Sequence, residues 1–295
     1  MSITAAMVKD LREKTAAGMM DCKKALTECD GDMEKAVDWL RQKGLSKAAK
    51  KAGRATSEGL VGFELAADGK SGVAGEVKCE TDFVARGDKF QGVVKDMVAQ
   101  VAKGEYADSE ALLAAPFVAD ASVTVKEALD GVIATTGENM GLGKFAKMEL
   151  AAGKSGLIGG YLHSNGKLAV LVEMQTGSDA AAASEAFHEV AKNVAMQIAA
   201  ASPLAVSAEG LNPEVVEHER EVYRQKAREE GKPEQIIEKI AEGAVKKFCK
   251  DVCLLDQLYI RDDKMTISDL IKGAAKTIGE PITVVRFVRI QLGAE

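Results

Sequence analysis

"GLVGFELAADGKSGVAGEVKCETD" at 59–82 returns as "GLIGGYLHSNGKLAVLVEMQTGSD" at 156–179, without a gap and 97 residues later. Nine of the 24 positions are identical: Gly59, Leu60, Gly62, Leu65, Gly69, Lys70, Val73, Glu76 and Asp82. Such self-similarity means that one supersecondary unit is used twice. Each copy reads as strand, turn, strand. Asp68-Gly69 and Asn165-Gly166 are signals for a two-residue hairpin turn. The segment behind each hairpin matches too. Phe90, Val93, Met97 and Val101 recur as Phe187, Val190, Val194 and Ile198, an apolar face at helical spacing.

The repeat has a second piece. "VTVKEALDGVIATTGENMGLGKFAKMEL" (123–150) aligns with "MTISDLIKGAAKTIGEPITVVRFVRIQL" (265–292), 142 residues apart. Each reads as a helix, a Gly-Glu turn and a final strand. The two offsets differ by 45 residues, so the second copy carries an insertion of about that size, contained in 210–248. Gly231-Lys232-Pro233 divides it into two charged amphipathic segments, the pattern of a helical hairpin. A solvated arm and a partner-binding or dimerising coiled coil both fit this composition.

Residues 3–43 read as three short helices, broken at "TAAG" (15–18) and "CDGD" (29–32), with Asp30 or Asp32 as an N-cap. Val8, Leu11 and Leu26 are periodic apolar positions, and Met33, Ala36, Val37 and Leu40 form a third face. Met19 and Met20 fall at a loop-helix junction. They are either adaptable apolar surface or plugs in a small core. Residues 44–58, "GLSKAAKKAGRATSE", are small and basic and read as a linker. The fold class is therefore α+β: an N-terminal three-helix domain, then a duplicated core of two three-stranded antiparallel sheets with helices, and an inserted helical hairpin. The bounds are 1–54 for the first domain with its linker, 55–153 for the first subdomain, 154–202 with 249–295 for the second, and 203–248 for the hairpin. Removal of 1–54 is expected to leave a folded core.

Composition narrows the function. The chain has 295 residues and a net charge of −6, which argues against nucleic acid as the main partner. No apolar run approaches the length of a membrane span, and no signal-peptide h-region opens the chain. Five cysteines without CxxC spacing fit reduced thiols and a cytoplasmic location. The phosphate-loop pattern fails at both Gly-Lys pairs: Glu64 stands where one first glycine belongs, and Leu168 follows the other. Histidines 163, 188 and 218 have unrelated spacings and make no metal site. Cys79 with His163 is the one thiol pair worth naming, and nothing places a third group to orient the imidazole. No catalytic constellation is present, so binding is expected rather than an enzyme, with no cofactor and no metal.

The duplication isolates one residue. Thr81-Asp82-Phe83-Val84-Ala85-Arg86 lies opposite Ser178-Asp179-Ala180-Ala181-Ala182-Ala183. The helix-capping pair is kept, and the Phe and Arg are not. A Phe that the fold required should have an equivalent in the second copy. Phe83 is thus expected to face outward, unless packing peculiar to the first copy buries it. Conversely, His163 replaces Ala66 and is placed on the first strand of the second copy, near its turn.

Two stretches resemble a known family. "LREKTAAGMMDCKKAL" (11–26) is similar to the N-terminal signature of bacterial elongation factor Ts, and "EVKCETDFVAR" (76–86) to its second signature. Ala16 departs from the usual Gly and Lys78 from the common Asn. The order of parts is similar over nearly the whole chain, beginning with a small domain of ubiquitin-associated type. Some members carry a further C-terminal helix that packs on the partner; the sequence here stops at "QLGAE" (291–295), and that contact is expected to be absent. The resemblance implies binding to elongation factor Tu, a GTPase, and release of its GDP so that GTP can enter. It implies that Thr81, Asp82, Phe83 and Val84 disturb the partner's Mg²⁺ site, with Phe83 as a wedge. It implies docking through Arg12, Met19, Met20 and Lys23, and through Gly137, Glu138 and His163. No direct binding of nucleotide, nucleic acid or membrane is implied; a dimer or a 2:2 complex stays open. The alternative is a scaffold that binds proteins without exchange.

Overall fold

The computed structural model describes residues 3–15 and 17–294, so Ala16 lies outside the described residues. Contacts divide the chain into two compact units. One holds the chain up to Phe63, Val73–Lys147 and the chain from Ile290 onward; the other holds Glu64–Gly72 and Met148–Arg289. The division departs from the sequence-based bounds at the tip of the first hairpin and at the end of the chain.

The first unit opens with α1 (Ala5–Thr15), α2 (Met19–Glu28) and α3 (Met33–Ala49). Val8, Leu11, Cys22, Ala25, Leu26 and Ala36 form their shared core. Asp32, not Asp30, caps α3: its carboxylate accepts from the N–H groups of Glu34 and Lys35, both at 3.1 Å. Next come β1 (Glu58–Leu65), β2 (Ser71–Cys79), the single turn α4 (Asp82–Ala85), α5 (Asp88–Lys103) and α6 (Ser109–Ala114). A short ribbon of β3 (Pro116–Phe117) and β4 (Asp120–Thr124) leads to α7 (Val125–Thr136) and β5 (Met140–Glu149). The sheet order is β1-β2-β5. Phe90, Met97 and Val101 of α5 are buried with Val77 and Cys79 of β2 and Leu129 and Ile133 of α7.

The second unit repeats this plan. β6 (Gly156–Leu162) pairs antiparallel with β7 (Leu168–Thr176), followed by α8 (Asp179–Ala182) and α9 (Glu185–Ala201). Then come the hairpin α10 (Pro213–Glu229) and α11 (Glu234–Val252), the ribbon β8 (Leu258–Tyr259) and β9 (Asp262–Thr266), α12 (Ile267–Ile278) and β10 (Ile282–Gln291). The sheet order is β10-β7-β6. Phe187, Val190, Val194 and Ile198 are buried, as their counterparts predict.

The same physical devices recur at matching places. Thr124 with Glu127 and Thr266 with Asp269 form capping boxes at α7 and α12. Gly137 (φ 85°) and Gly279 (φ 79°) end those helices in the left-handed region. Gly59 and Gly156 open their hairpins; a Cβ there would lie 2.1 and 2.2 Å from the carbonyl oxygens of Val77 and Met174.

Several expectations need correction. The hairpin turns have four residues, 67–70 and 164–167, between backbone-bonded Ala66 and Ser71 and between His163 and Leu168. The two-residue type I′ turn that Asp-Gly and Asn-Gly favour needs positive φ at both central positions. Here only Gly69 and Gly166 have it, and Asp68 and Asn165 instead accept the N–H of Lys70 and Lys167 at 2.9 Å. His163 therefore sits at the start of this turn and not on the strand. The hairpin's second helix continues to Val252, four residues past 248. The linker reading of 44–58 fails over its first part, because α3 runs through Ala49. Gly44 is buried against Ala134 of α7, Ala48 joins the core of the first sheet, and Arg41 pairs with Glu127 at 2.6 Å. Small residues suit a flexible linker and a closely packed helix face equally well, so composition alone does not separate them.

The expected effect of deleting 1–54 changes accordingly. Loss of α3 strips the cover from α7, and the thermal midpoint of the truncated chain should fall by about 5 °C or more, the effect of roughly 2 kcal/mol in a domain of this size. Circular-dichroism melting of full and truncated chains measures it; an unchanged midpoint would restore the linker reading.

Candidate protein-interaction site

The corner after β2 is built from its backbone outward. Cys79 ends the strand, buried, and its thiol donates to the carbonyl of Thr81 at 3.2 Å. Thr81 is the N-cap of α4: its hydroxyl accepts from the N–H of Val84 at 3.3 Å. The same hydroxyl donates to Oε1 of Glu138 at 2.7 Å, and the Thr81 N–H donates to Oε2 at 3.0 Å. Ala85 is buried and Val84 packs half-buried against the first core. Phe83 lies on the other side of this turn and is 84% exposed. Asp82, next to it, pairs with Arg86 at 2.9 Å, one helical turn later. The second copy keeps the geometry: Ser178 caps α8 through the N–H of Ala181, and Ala180 is exposed where Phe83 stands. The outward reading of Phe83 is thus correct, and packing peculiar to the first copy does not bury it.

Arg12, Met19, Met20 and Lys23 come together along one groove of about 410 Å³, which Ile3 and Val8 also line. Met19 and Met20 are 60% and 75% exposed, so neither plugs the helical core. The lining joins these apolar side chains to the cations Lys9, Arg12 and Lys23. Gly137 and Glu138 join the Thr81 corner, but the Glu138 carboxylate turns toward Thr81. His163 belongs to the second unit, half-buried, with its Nδ1 accepting from the N–H of Asn165 at 3.4 Å and its ring edge-on to Tyr161.

Sequence reasoning missed a set of polar residues behind the corner. Glu80 accepts from the Asn139 N–H at 2.6 Å and faces Arg54 at 3.4 Å. Its carboxyl is held below the usual carboxylate range by the Asn139 N–H first and by Arg54 after it. The Asn139 side chain donates to the carbonyls of Arg54 (2.8 Å) and Ala52 (3.4 Å), and Lys51 donates to the carbonyl of Gly137. The signal lay in the repeat: Glu80 and Asn139 stand opposite Gly177 and Pro281, which have no carboxylate and no N–H.

A thiol reaction at this corner finds no support. Burial, then the Glu138 charge, pushes the Cys79 thiol up to about 11, away from the thiolate that a nucleophile needs. Among the described residues no group of three or more His, Cys, Asp or Glu can hold a metal ion. No described helix is long and apolar enough to cross a membrane.

The family model described as Elongation factor TS matches residues 80–294. Elongation factor Ts of Lawsonia intracellularis is 57% identical over 295 residues, the whole of both chains. Elongation factor Ts of Nitratidesulfovibrio vulgaris strain DP4 is 59% identical over all of this chain and 97% of its own, and that of Clostridium novyi is 48% identical over 99% and 93%. The chain belongs to the elongation factor Ts family. It is accordingly a translation elongation factor, with a part in protein biosynthesis.

Thiol chemistry offers a check on the corner's packing. Burial also pushes Cys253 up to about 11, followed by the effect of Cys249. Iodoacetamide at pH 8 should therefore modify the half-buried Cys29 and Cys249 first and leave Cys79 and Cys253 unmodified in the folded chain, as read by peptide mass spectrometry. Early labelling of Cys79 would mean that the corner is open.

Proposed function

We propose that the chain binds elongation factor Tu carrying GDP and promotes release of the nucleotide by pressing the Thr81–Val84 corner against the partner's Mg²⁺ and phosphate site. The observation that carries this reading is Phe83: a large aromatic held 84% exposed on a doubly capped corner, where the duplicate manages with an exposed Ala180. An exposed Phe gives up about 1.5–3 kcal/mol that burial would supply, and a partner's surface can return it. Mg²⁺ neutralises nucleotide phosphates, so displacing it weakens the nucleotide.

Magnitudes require more than one contact. Nucleotide and exchange factor oppose each other through a reciprocal coupling free energy. Weakening a nucleotide from nanomolar to micromolar affinity takes about 4 kcal/mol of coupling, more than one buried Phe provides. The groove of Arg12, Met19, Met20 and Lys23 supplies further binding energy, with Gly137 and His163 as additional contacts. On this reading the chain itself binds no nucleotide, works in the cytoplasm, and takes neither nucleic acid nor membrane as a ligand. A scaffold without exchange activity is the competing reading, and the same assay separates the two.

Phe83→Ala should slow labelled-GDP release from elongation factor Tu at least about tenfold, equivalent to roughly 1.4 kcal/mol, with an unchanged melting midpoint. A lowered midpoint with release intact would reverse the assignment. Met20→Asp should act differently, raising the half-saturating concentration about tenfold through the loss of apolar docking surface. No change in that concentration would remove the groove from the interface.

A further inference from the structure

We propose that Glu138 is a positioning residue for the Phe83 corner and acts through Thr81 instead of touching the partner. Both oxygens of its carboxylate are taken by Thr81, one by the N–H at 3.0 Å and one by the hydroxyl at 2.7 Å. Thr81 passes this restraint on, because the same hydroxyl accepts from the N–H of Val84, inside the turn that carries Phe83. A helix of four residues has no stability of its own. Val84 and Ala85 pack one side of it on the core, and what holds its N-cap, Thr81, is a carboxylate 57 positions away in sequence.

Glu138 is itself held from behind. Gly137 before it is fixed in the left-handed region at φ 85° and takes a hydrogen bond from Lys51. Asn139 after it donates its N–H to Glu80 at 2.6 Å and its side-chain amide to the carbonyl of Arg54 at 2.8 Å. The turn 137–139 is thereby fastened to both ends of the segment that leads from β2 into α4, and to the residues that follow α3. The duplicate has a Gly-Glu turn too, at Gly279-Glu280, but Pro281 cannot donate an N–H and Gly177 has no side chain to accept one. The fastening is specific to the copy that presents an aromatic. A wedge that must deliver its energy in one direction needs such fixing, since disorder of its backbone would dilute the gain.

The role rests on the release function proposed above, because a wedge needs a target. Rates of labelled-GDP release from elongation factor Tu, measured against rising concentration of the full chain, separate maximal rate from half-saturating concentration. Glu138→Ala should lower the maximal rate about tenfold and move the half-saturating concentration less than threefold. Glu138→Gln, which keeps one acceptor oxygen and the packing, should recover part of the rate. In a Phe83→Ala background, Glu138→Ala should add less than a twofold loss, because the two act as one unit. Amide hydrogen exchange, which needs no partner, should quicken about tenfold at residues 81–85 in Glu138→Ala while global unfolding is unchanged. A raised half-saturating concentration with the maximal rate kept, or losses that multiply in the double variant, would make Glu138 a direct contact and overturn the proposal. So would unchanged exchange at 81–85. If Phe83→Ala itself releases GDP at the full rate, the release reading fails and the positioning role falls with it. A normal Glu138→Ala beside an impaired Phe83→Ala overturns the positioning role alone.

Discussion

Two hydrogen bonds from Thr81 to one carboxylate hold the exposed end of the first hairpin. Thr81 stands where β2 has ended and α4 has barely begun, so neither the sheet nor the helix supplies an acceptor for its N–H and its hydroxyl hydrogen. Glu138 accepts from both. With the cap fixed, the rest of the turn follows from helical geometry. Ala85 enters the core, Val84 lies against it, and Phe83 is rotated out to solvent. Without that cap the same four residues have too few internal hydrogen bonds to keep any one arrangement.

The duplication works as an internal control on what the fold needs. Features present in both copies serve folding: Gly59 and Gly156 at close backbone approaches, the two capping boxes, and the left-handed Gly137 and Gly279. Gln100 and Gln197 belong with these. Each is buried and holds a short ribbon by donating to a carbonyl, Pro116 or Leu258, and accepting an N–H, Val118 or Ile260. Features present in one copy only are free to serve something else. Phe83, Arg86, Glu80 and Asn139 form such a set around Thr81, with Phe83 and Arg86 exposed, Glu80 half-buried and Asn139 buried behind them.

The inserted hairpin shows where its stability comes from. Arg224 bridges α10 and α11 by two bonds to Glu238, at 2.8 and 2.9 Å, and also reaches Glu217 and Glu221. Exposed ion pairs of this kind are worth about 0–1 kcal/mol each. Ala227, Ile237, Ala241 and Val245, buried in the hairpin, carry more of the load. Val222, Ile236 and Ile240 remain exposed on the arm.

The fold class, the duplication, the capping pairs of the two corners and the outward Phe83 were legible in the sequence. They rest on local patterns or on comparison of one copy with the other, and neither needs coordinates. The turn at Asp68-Gly69 was read one step too tightly, since a dipeptide signal does not report the φ of its first residue. The end of α3 was misread because Gly44 and Ala48 are small for packing, which composition cannot distinguish from small for flexibility. Only the tertiary structure decided where Glu138 points. Its partner is Thr81, far away in the chain, and a carboxylate facing solvent and one closed on a backbone corner are the same letter in the sequence. Local chemistry is written in neighbouring residues. The pairing of a cap with a distant turn exists only after the sheet has brought the two together.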